Sequence, residues 1–335
     1  NETTVTVCVA DKDADGNKTG QLTAKVSYEN DRYDTTDLAQ FINEYAESGS
    51  AKIEGTKNLA GRDFKDGDSF TFTVTPKDDK TPYPVDKDRK EVKEVTITPD
   101  SGASAKIDFG TVNFTKAEQS YTYELKEKPD GDKKGIEYDT TTYTLTLTAK
   151  ANSPKNGKLT IEQTLEQTLK AGDKDADQIV WNNQYKPTGS LRLDATKTLT
   201  GRKWKQNDSF IFELWAYKSD ALLAALDQTK TPYTVEGSSI SFGKATATAP
   251  AADAENQQTV PINFETLHFT KASEDGPFEF YITEIPGNDK GMNYDSQPHR
   301  IPVYVTDDGE GHLTAEVADN SITNLNFNNV YNSSV

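Results

Sequence analysis

The chain has 335 residues, a formal net charge of −17 and a pI near 4.7, so its surface repels nucleic acid and anionic membranes, and neither is expected as a partner. Its single cysteine excludes an internal disulfide, and no apolar run approaches the roughly 18 to 20 residues that span a bilayer. The abundance of Thr, Asp, Asn, Gly and Tyr is typical of extracellular proteins, and the length allows two or three domains.

Residues 1–46 predict only the C-terminal part of a β-sandwich repeat. Alternating stretches at Thr3 to Ala10 and Gln21 to Tyr28 predict two strands, and Asn43 lies in a closing stretch from Phe41 to Tyr45. No front half and no signal peptide precede them, so we expect the chain to be a piece of a longer protein. A sandwich without its first strands is expected to expose a sheet edge and part of its core.

The segment Asp11 to Gly16 resembles the start of a calcium loop. Leu22 stands where such a loop needs a bidentate carboxylate, and Lys18 stands at its eighth position, so we predict a hairpin turn, with calcium as the alternative. Cys8 is predicted on the outward strand face without a role, a reactive thiol being the alternative. No metal site is predicted, because the histidines are scattered without ligand spacing: His268, His299 and His312.

Two full repeats follow, at residues 47–186 and 187–335. Each opens with nearly the same residues, Gly55 to Arg62 in the first and Ala195 to Arg202 in the second. Later strands recur in the same order, and each repeat closes with the sequence motif aromatic-x-Asn-x-Tyr. Many short alternating strands with frequent turns predict all-β, immunoglobulin-like sandwiches in tandem.

The second full repeat contains an insertion near residues 219–227. Matching segments lie 140 residues apart before it and 150 residues apart after it. The inserted residues are rich in Leu and Ala, and Ser219 stands where an N-cap is expected. We predict one short helix there.

Period-two alternation puts one lysine, one glutamate and one asparagine of each full repeat on the apolar face of its strand. These residues are Lys57, Glu127 and Asn183 in the first full repeat and Lys197, Glu284 and Asn329 in the second. Burying three polar groups in an aromatic core is expensive unless they interact. Three nearby residues of the same types have the opposite parity, which places them on the other face of their strands: Lys52, Asn182 and Asn328.

Desolvation lowers the pKa of a lysine and raises that of a glutamate, so a dry core favours a neutral amine beside a protonated carboxyl. The amine is then able to attack the asparagine side-chain carbonyl while the glutamate donates a hydrogen bond to its oxygen and shuttles protons until ammonia leaves. The pattern predicts an intramolecular Lys–Asn isopeptide bond that needs no cofactor. The simpler alternative is a lysine that reaches solvent and an asparagine bonded to backbone.

The opening T-K-x-L-x-G-R, the aromatic strand that ends in Glu before a Pro/Gly segment and Tyr-Asp, and the closing aromatic-x-Asn-x-Tyr resemble a known family. It is that of the isopeptide-linked pilin-subunit domains of Gram-positive surface proteins, related to B-type repeats of collagen adhesins. The resemblance covers residues 48–332 as two whole domains and 1–46 as a partial one. It implies Lys–Asn bonds assisted by the glutamates named above, whereas Asn43 has no lysine or glutamate before it.

The predicted function is a structural stalk of a wall-attached surface protein, whose partners are its neighbouring domains. Adhesion to a host matrix protein or glycan, through loops or the helical insert, is the alternative. A conventional enzyme is not predicted, because no solvent-accessible catalytic constellation is found. Arg62 and Arg202 are expected to pair with acidic loops. No Leu-Pro-x-Thr-Gly signal is found, so a sorting signal is expected outside this segment.

Overall fold

The computed structural model is built almost wholly of β-strands, which follow one another in three groups along the chain. The residues that it describes are 3–13, 15–30, 33–36, 45–131, 135–153, 155–169, 172–251, 258–318 and 325–332. No helix among them is long and apolar enough to cross a membrane.

The first group is a three-stranded antiparallel sheet of β1 (Thr3–Lys12), β2 (Lys18–Asn30) and β3 (Tyr33–Thr36). The β1–β2 connection is a hairpin turn, as predicted, in which Asp13 Oδ1 accepts the backbone N–H groups of Asp15 and Asn17. The sheet leaves apolar side chains open to solvent, also as predicted, since Val7 is 56% exposed. Asn43 lies outside the described residues.

The second group forms the first full sandwich. Its strands are β4 (Gly49–Ala60), β5 (Phe70–Pro76), β6 (Glu94–Ile97), β7 (Ser104–Phe114), β8 (Ser120–Lys128), β9 (Ile136–Glu137), β10 (Thr142–Ala151), β11 (Leu159–Leu169), β12 (Gly172–Asp175) and β13 (Val180–Tyr185). A four-stranded sheet has the order β7-β4-β13-β9, and a six-stranded sheet has the order β12-β11-β10-β8-β5-β6.

The third group forms the second full sandwich. Its elements are β14 (Gly189–Leu191), β15 (Asp194–Thr200), β16 (Ser209–Tyr217), α1 (Asp220–Ala225), β17 (Thr234–Glu236), β18 (Ser239–Thr248), β19 (Thr259–Asn263), β20 (Leu267–Phe269), β21 (Phe278–Ile285), β22 (Met292–Asn293), β23 (His299–Asp307), β24 (Leu313–Val317) and β25 (Asn326–Tyr331). The sheet orders are β19-β15-β25-β22 and β17-β18-β16-β21-β23-β24, with a separate β14–β20 pair. The predicted all-β fold with tandem sandwiches is confirmed.

In each full sandwich the strand that carries the lysine, β4 or β15, lies beside the closing strand and runs parallel to it. In the β4–β13 pair Lys57 stands opposite Trp181, and in the β15–β25 pair Lys197 stands opposite Phe327. Such a parallel pair cannot be made by a tight turn, so the whole domain lies between its two strands. The ends of each domain are thereby brought together in one sheet.

Alternating burial along the strands explains why they pack as two layers. Strand β10 buries every second side chain, and Trp181 of the other sheet packs edge-on against the ring of Tyr143, with ring centroids 5.2 Å apart. Phe72 also contacts Trp181, at 4.8 Å between ring centroids. Aromatic rings of this size contribute most of the apolar area that holds the layers together.

The predicted helical insert is confirmed as α1. The Ser219 side chain caps it by accepting the N–H of Leu222 at 3.1 Å. Leu222 and Ala225 are buried in the core, and α1 contains no aromatic residue. The insert therefore adds to the core and presents no aromatic surface to a ligand.

One alternating stretch of the second full repeat does not form a single strand. Alternation from Leu191 to Lys197 predicts a continuous strand, but Arg192 and Leu193 separate β14 from β15. The physical reason is a change of partner, because β14 pairs with β20 whereas β15 pairs with β19 and β25. In the first full sandwich β4 stays continuous and has only a bulge between Lys52 and Glu54.

Candidate functional site

The first full sandwich encloses a lysine, a glutamate and an asparagine in direct contact. Lys57 comes from β4 and Asn183 from the adjacent β13, two positions beyond the residue that faces Lys57, while Glu127 comes from β8 in the other sheet. Lys57 Nζ lies 2.9 Å from Glu127 Oε2, and Asn183 Nδ2 donates to Glu127 Oε1 at 2.9 Å. All three side chains are buried.

The second full sandwich repeats the arrangement. Lys197 Nζ lies 2.8 Å from Glu284 Oε2, and Asn329 Nδ2 donates to Glu284 Oε1 at 2.6 Å. These three residues have no solvent exposure at all. The structure thus brings together, twice, the residues that period-two parity selected.

The asparagine oxygen is held by a group that the sequence did not suggest. The backbone N–H of Asp139 donates to Asn183 Oδ1 at 2.8 Å, and that of Asp295 donates to Asn329 Oδ1 at 2.9 Å. The glutamate was expected to donate to this oxygen, but its carboxyl group contacts the two nitrogen atoms instead. The signal available in the sequence was the repeated Tyr-Asp pair, which precedes β10 in the first full sandwich and β23 in the second.

Asp139 and Asp295 also fix the closing strand through their carboxyl groups. Asp139 Oδ2 accepts the N–H of Asn182 at 2.8 Å, and Asp139 Oδ1 accepts the N–H of Thr141 at 2.9 Å. Asp295 Oδ2 accepts the N–H of Asn328 at 3.4 Å. Each aspartate therefore aligns the residue beside the buried asparagine as well as the amide oxygen itself.

Burial shifts the ionisation of the triads in the predicted direction. Desolvation lowers the pKa of Lys57 to about 8, although attraction to Glu127 opposes this shift. Desolvation likewise raises the pKa of Glu127. In the second full sandwich the pKa of Lys197 is lowered and that of Glu284 raised, with desolvation the largest cause in both. Each pair is therefore moved toward neutral amine and neutral carboxyl.

Aromatic rings lie beside the buried amines of the two lysines. Lys57 Nζ lies 5.2 Å from the ring centroid of Phe70, and Lys197 Nζ lies 4.9 Å from that of Phe210. Rings at this distance attract a cation, yet they supply no hydrogen bonds in place of lost water. They keep the site dry, which is the cause of the shifted pKa values.

A model of the family described as FctA, Spy0128-like isopeptide containing domain, matches residues 53–186 and 193–332. The two matched segments contain both triads complete. The chain belongs to this family.

As a member of the Spy0128-like family, the chain carries two pilin-type structural domains of the extracellular surface, which confirms the predicted family. A crystal structure of the major pilin from Streptococcus pyogenes is 17% identical, with 84% of this chain and 98% of that chain covered and a TM-score of 0.29. A crystal structure of the shaft pilin SpaA from Lactobacillus rhamnosus GG is 13% identical, with 86% and 100% covered and a TM-score of 0.17. No curated protein matches the sequence.

The opening motif of each Spy0128-like domain fastens the lysine strand to the end of the closing strand. Gly61 has a φ of +93°, and a Cβ there would lie 2.5 Å from the backbone oxygen of Tyr185, so only glycine fits. Arg62 then binds Asp68 through both terminal nitrogens, at 2.7 and 3.0 Å, and lies over the Tyr185 ring. Arg202 binds Asp208 in the same way, so the predicted acidic pairing of both arginines is confirmed.

The neighbours with opposite parity lie outside both sites. Lys52 is half-exposed and pairs with Glu54 and Asp108, at 2.7 and 3.1 Å. Asn182 Oδ1 accepts a hydrogen bond from Asn58 at the surface. Cys8 is exposed, and within the described ranges no group of three or more His, Cys, Asp or Glu side chains is arranged to hold a metal ion.

Proposed function

We propose that each full domain is a stalk segment that joins Lys to Asn through an autocatalytic isopeptide bond. The bonds are Lys57–Asn183, assisted by Glu127, and Lys197–Asn329, assisted by Glu284. The observation that carries the proposal is one buried carboxyl group that contacts the attacking nitrogen with one oxygen and the leaving nitrogen with the other. A structural network alone has no need of that pairing.

The proposed reaction begins with a proton transfer inside the ion pair. The ammonium of Lys57 gives a proton to Glu127 Oε2, and the neutral amine attacks Cγ of Asn183. Glu127 then gives its proton to the Asn183 nitrogen and takes one from the former lysine nitrogen, so the carboxyl group ends protonated. Ammonia leaves, and the products are one amide bond and one ammonia molecule per domain.

The negative charge of the intermediate would develop on the asparagine oxygen. The N–H groups of Asp139 and Asp295 already donate to that oxygen, at 2.8 and 2.9 Å. A fixed donor in a dry site stabilises such an oxyanion more than water does, because it needs no reorganisation. These two aspartates are proposed as oxyanion donors through their backbone, a role that adds to the one assigned to the glutamates.

Positioning supplies the rest of the rate, so no external enzyme is required. Groups held in a productive orientation react as though present at roughly 10⁵ to 10⁸ M. Lysine and asparagine are held by adjacent strands, and glutamate by the opposing sheet. Each domain turns over once, so the protein is not an enzyme in the usual sense.

The proposed bonds suit a stalk on a wall-attached surface protein. The segment from Lys57 through Asn183 has 127 residues, and that from Lys197 through Asn329 has 133. Closing loops of this length removes denatured-state entropy worth about 5 kcal/mol by the relation used for disulfides. The bond therefore replaces the disulfides that a chain with one cysteine cannot form within itself.

Intact mass tests the proposal. The full chain is expected to be lighter than its sequence by two ammonia molecules, and Glu127→Gln is expected to be lighter by one only, because glutamine cannot shuttle the proton. Glu284→Gln is the matched variant for the other domain. A wild-type mass equal to that of the sequence contradicts the proposal.

Adhesion to a glycan or host protein is a second candidate function, and one surface cluster favours it. On the outer face of the second full sandwich the rings of Trp215 and Tyr281 stack with centroids 4.6 Å apart, where the first full sandwich has Thr75 and Glu124. Stacked aromatic rings suit the apolar face of a sugar. Glycan-array binding that is lost in Trp215→Ala but kept in Glu127→Gln would support adhesion, and no binding by the wild type would exclude it for the glycans tested.

A further inference from the structure

The loop that carries the proposed oxyanion donor is held firmly in the first full sandwich. Asp139 Oδ1 accepts the N–H and the hydroxyl of Thr141, at 2.9 and 2.5 Å, and Trp181 Nε1 donates to the Thr141 carbonyl at 2.9 Å. The Tyr143 hydroxyl donates to the carbonyl of Val180, at the start of the closing strand, at 2.7 Å. No histidine takes part in these contacts, because all three histidines lie in the second full repeat.

The second full sandwich holds the same loop through a histidine. Three aligned positions differ, and the pairs are Thr141 and Gln297, Tyr143 and His299, and Trp181 and Phe327. Phe327 has no N–H to donate. His299 Nε2 lies 3.3 Å from Asp295 Oδ1, and the His299 ring packs edge-on against Phe327 with centroids 4.5 Å apart. The histidine thus stands between the loop and the closing strand.

Asp295 carries both the oxyanion donor and the carboxyl group that His299 contacts. Its N–H donates to Asn329 Oδ1 at 2.9 Å, and its Oδ2 accepts the N–H of Asn328 at 3.4 Å. The equivalent contact of Asp139 measures 2.8 Å. A hydrogen bond at 3.4 Å is long and weak. The orientation of Asp295, and with it that of its N–H, therefore depends more on the contact with His299.

The contact between His299 and Asp295 depends on the protonation of the ring. A neutral imidazole donates from only one of its two nitrogens, whereas the protonated ring donates from both. Its bond to a carboxylate is then also roughly twice as strong as a neutral one. Histidine changes its charge between about pH 5 and pH 8. The His299 side chain is 31% exposed, so it exchanges protons with solvent.

The strands that pack against His299 bring no competing charge to it. β21 faces it with Ile282, and β25, which has no charged residue, faces it with Phe327. In the described part of the chain the ion-pair partner of His299 is Asp295. The charged residues of β21 already have partners, and the pairs are Glu279 with Arg300 and Glu284 with Lys197.

The charge of Asp295 reaches the triad. Desolvation is the largest cause of the shifted pKa values of Lys197 and Glu284, and the Asp295 carboxylate additionally raises both. For the proton transfer from lysine to glutamate these two effects oppose each other. The oxyanion on Asn329 has no such compensation, because a nearby negative charge only disfavours it. A cation on His299 neutralises that charge.

We propose that His299 is a positioning residue of the second full domain, and that its protonated form speeds formation of the Lys197–Asn329 bond. It acts through Asp295, whose N–H it holds on the asparagine oxygen and whose charge it neutralises. The bond-forming step is unchanged, since one amide forms, one ammonia leaves and His299 keeps its proton. This inference rests on the proposed isopeptide reaction, and it expects a dependence on pH in the second domain only.

Refolding of the full chain tests the proposal, because each molecule contains both bonds. Chain recovered from inclusion bodies in guanidinium, with its starting mass checked against the sequence, is diluted into buffers at about pH 5.5 and about pH 7.5, on either side of the usual histidine range. Samples are quenched and digested, and the two branched peptides are quantified over time. The rate of the second bond relative to the first should be about threefold to tenfold higher at the lower pH. This ratio cancels effects that are common to both domains.

Two variants separate positioning from packing. His299→Gln keeps a donor but has no charge, so the second bond should form with a rate ratio that does not change with pH. His299→Phe keeps a ring against Phe327 but has no donor, so the second bond should form more slowly at both pH values. Tryptophan fluorescence during refolding, through Trp204 and Trp215, reports whether the second domain of each variant has folded.

His312→Gln is the matched control. His312 contacts Asp308 four residues away at 3.1 Å, as His299 contacts Asp295, but it lies outside the triad, so its loss should leave the wild-type ratio unchanged. Two bonds that form with the same ratio at both pH values, or a wild-type dependence on pH in His299→Gln, would overturn the role of His299 and leave the reaction standing. Loss of ammonia from neither domain would refute the reaction and this inference together.

Discussion

Replacing Glu127 by alanine is expected to lower the melting temperature of the first full domain by at least about 10 to 20 °C and to leave that of the second unchanged. The lost loop closure accounts for about 5 kcal/mol of unfolding free energy, and 1 kcal/mol corresponds to about 2 to 4 °C in a domain of this size. Differential scanning calorimetry resolves the unfolding transitions of the two domains. Glu284→Ala should lower the melting temperature of the second full domain and leave that of the first unchanged.

A second cause adds to the loss of loop closure in this variant, and a further variant separates the two. Glu127→Ala also leaves Lys57 buried without a partner, which destabilises a core by about 3 to 5 kcal/mol. Lys57→Met combined with Glu127→Leu removes both charges as well as the bond, so its loss contains loop closure and the unpaired Asn183 amide but no unpaired buried charge. A double variant as stable as the wild type would show that no covalent closure stabilises this domain.

Pulling on single molecules is expected to give no unfolding step from either full domain of the wild type. Force enters along β4 and leaves along β13, and the proposed Lys57–Asn183 bond would join these strands before the rest of the domain is loaded. Lys57→Met should release 127 residues in one step, a gain of roughly 420 to 460 Å in contour length at 3.3 to 3.6 Å per residue. Atomic force spectroscopy measures this length directly.

Lys52→Met is the matched control for the pulling experiment. Lys52 lies on the same strand as Lys57, but its side chain is 51% exposed and pairs with Glu54. The control should therefore show no step from this domain. A step of the full length in the wild type would contradict the proposed bond. A step in Lys52→Met but not in Lys57→Met would contradict its assignment to Lys57.

Strand parity could predict the buried polar residues because it is a local property. Side chains alternate between the two faces of a strand, so the neighbours of Lys57, Glu127 and Asn183 were sufficient to place each on an apolar face. Their contact is a different matter, because it depends on which strands pair across more than a hundred residues. The repetition of the three residue types in the same order supplied that link.

The position of the carboxyl group could not be derived in the same way. Parity shows that Glu127 points inward, but not which atom of Asn183 it reaches. The loop at Asp139 brings an N–H to the amide oxygen and so turns the amide nitrogen toward the carboxyl group. The conformation of such a loop does not follow a periodic sequence pattern, so strand parity could not predict it.

The contacts between successive domains were missed although a signal existed. At one of them the Tyr185 hydroxyl donates to Asp307 Oδ1 and accepts the Gly311 N–H of the next domain. Three copies of Gly-x-Leu-Thr were visible in the sequence, at Gly20, Gly157 and Gly311. The motif alone does not show that it contacts a neighbouring domain. That contact becomes visible only when the leucine of the motif is seen to be buried between two sandwiches. The break between β14 and β15 has the same origin, since the linker strand takes a partner that its own alternation does not encode.

Tandem mass spectrometry of a proteolytic digest tests the central claim most directly. The predicted result is one branched peptide that joins Lys57 to Asn183 and a second that joins Lys197 to Asn329, each lighter than the sum of its parts by one ammonia molecule. The first peptide should be absent from Glu127→Gln, and the second should be absent from Glu284→Gln. Unlinked peptides that carry all four residues intact would contradict the account.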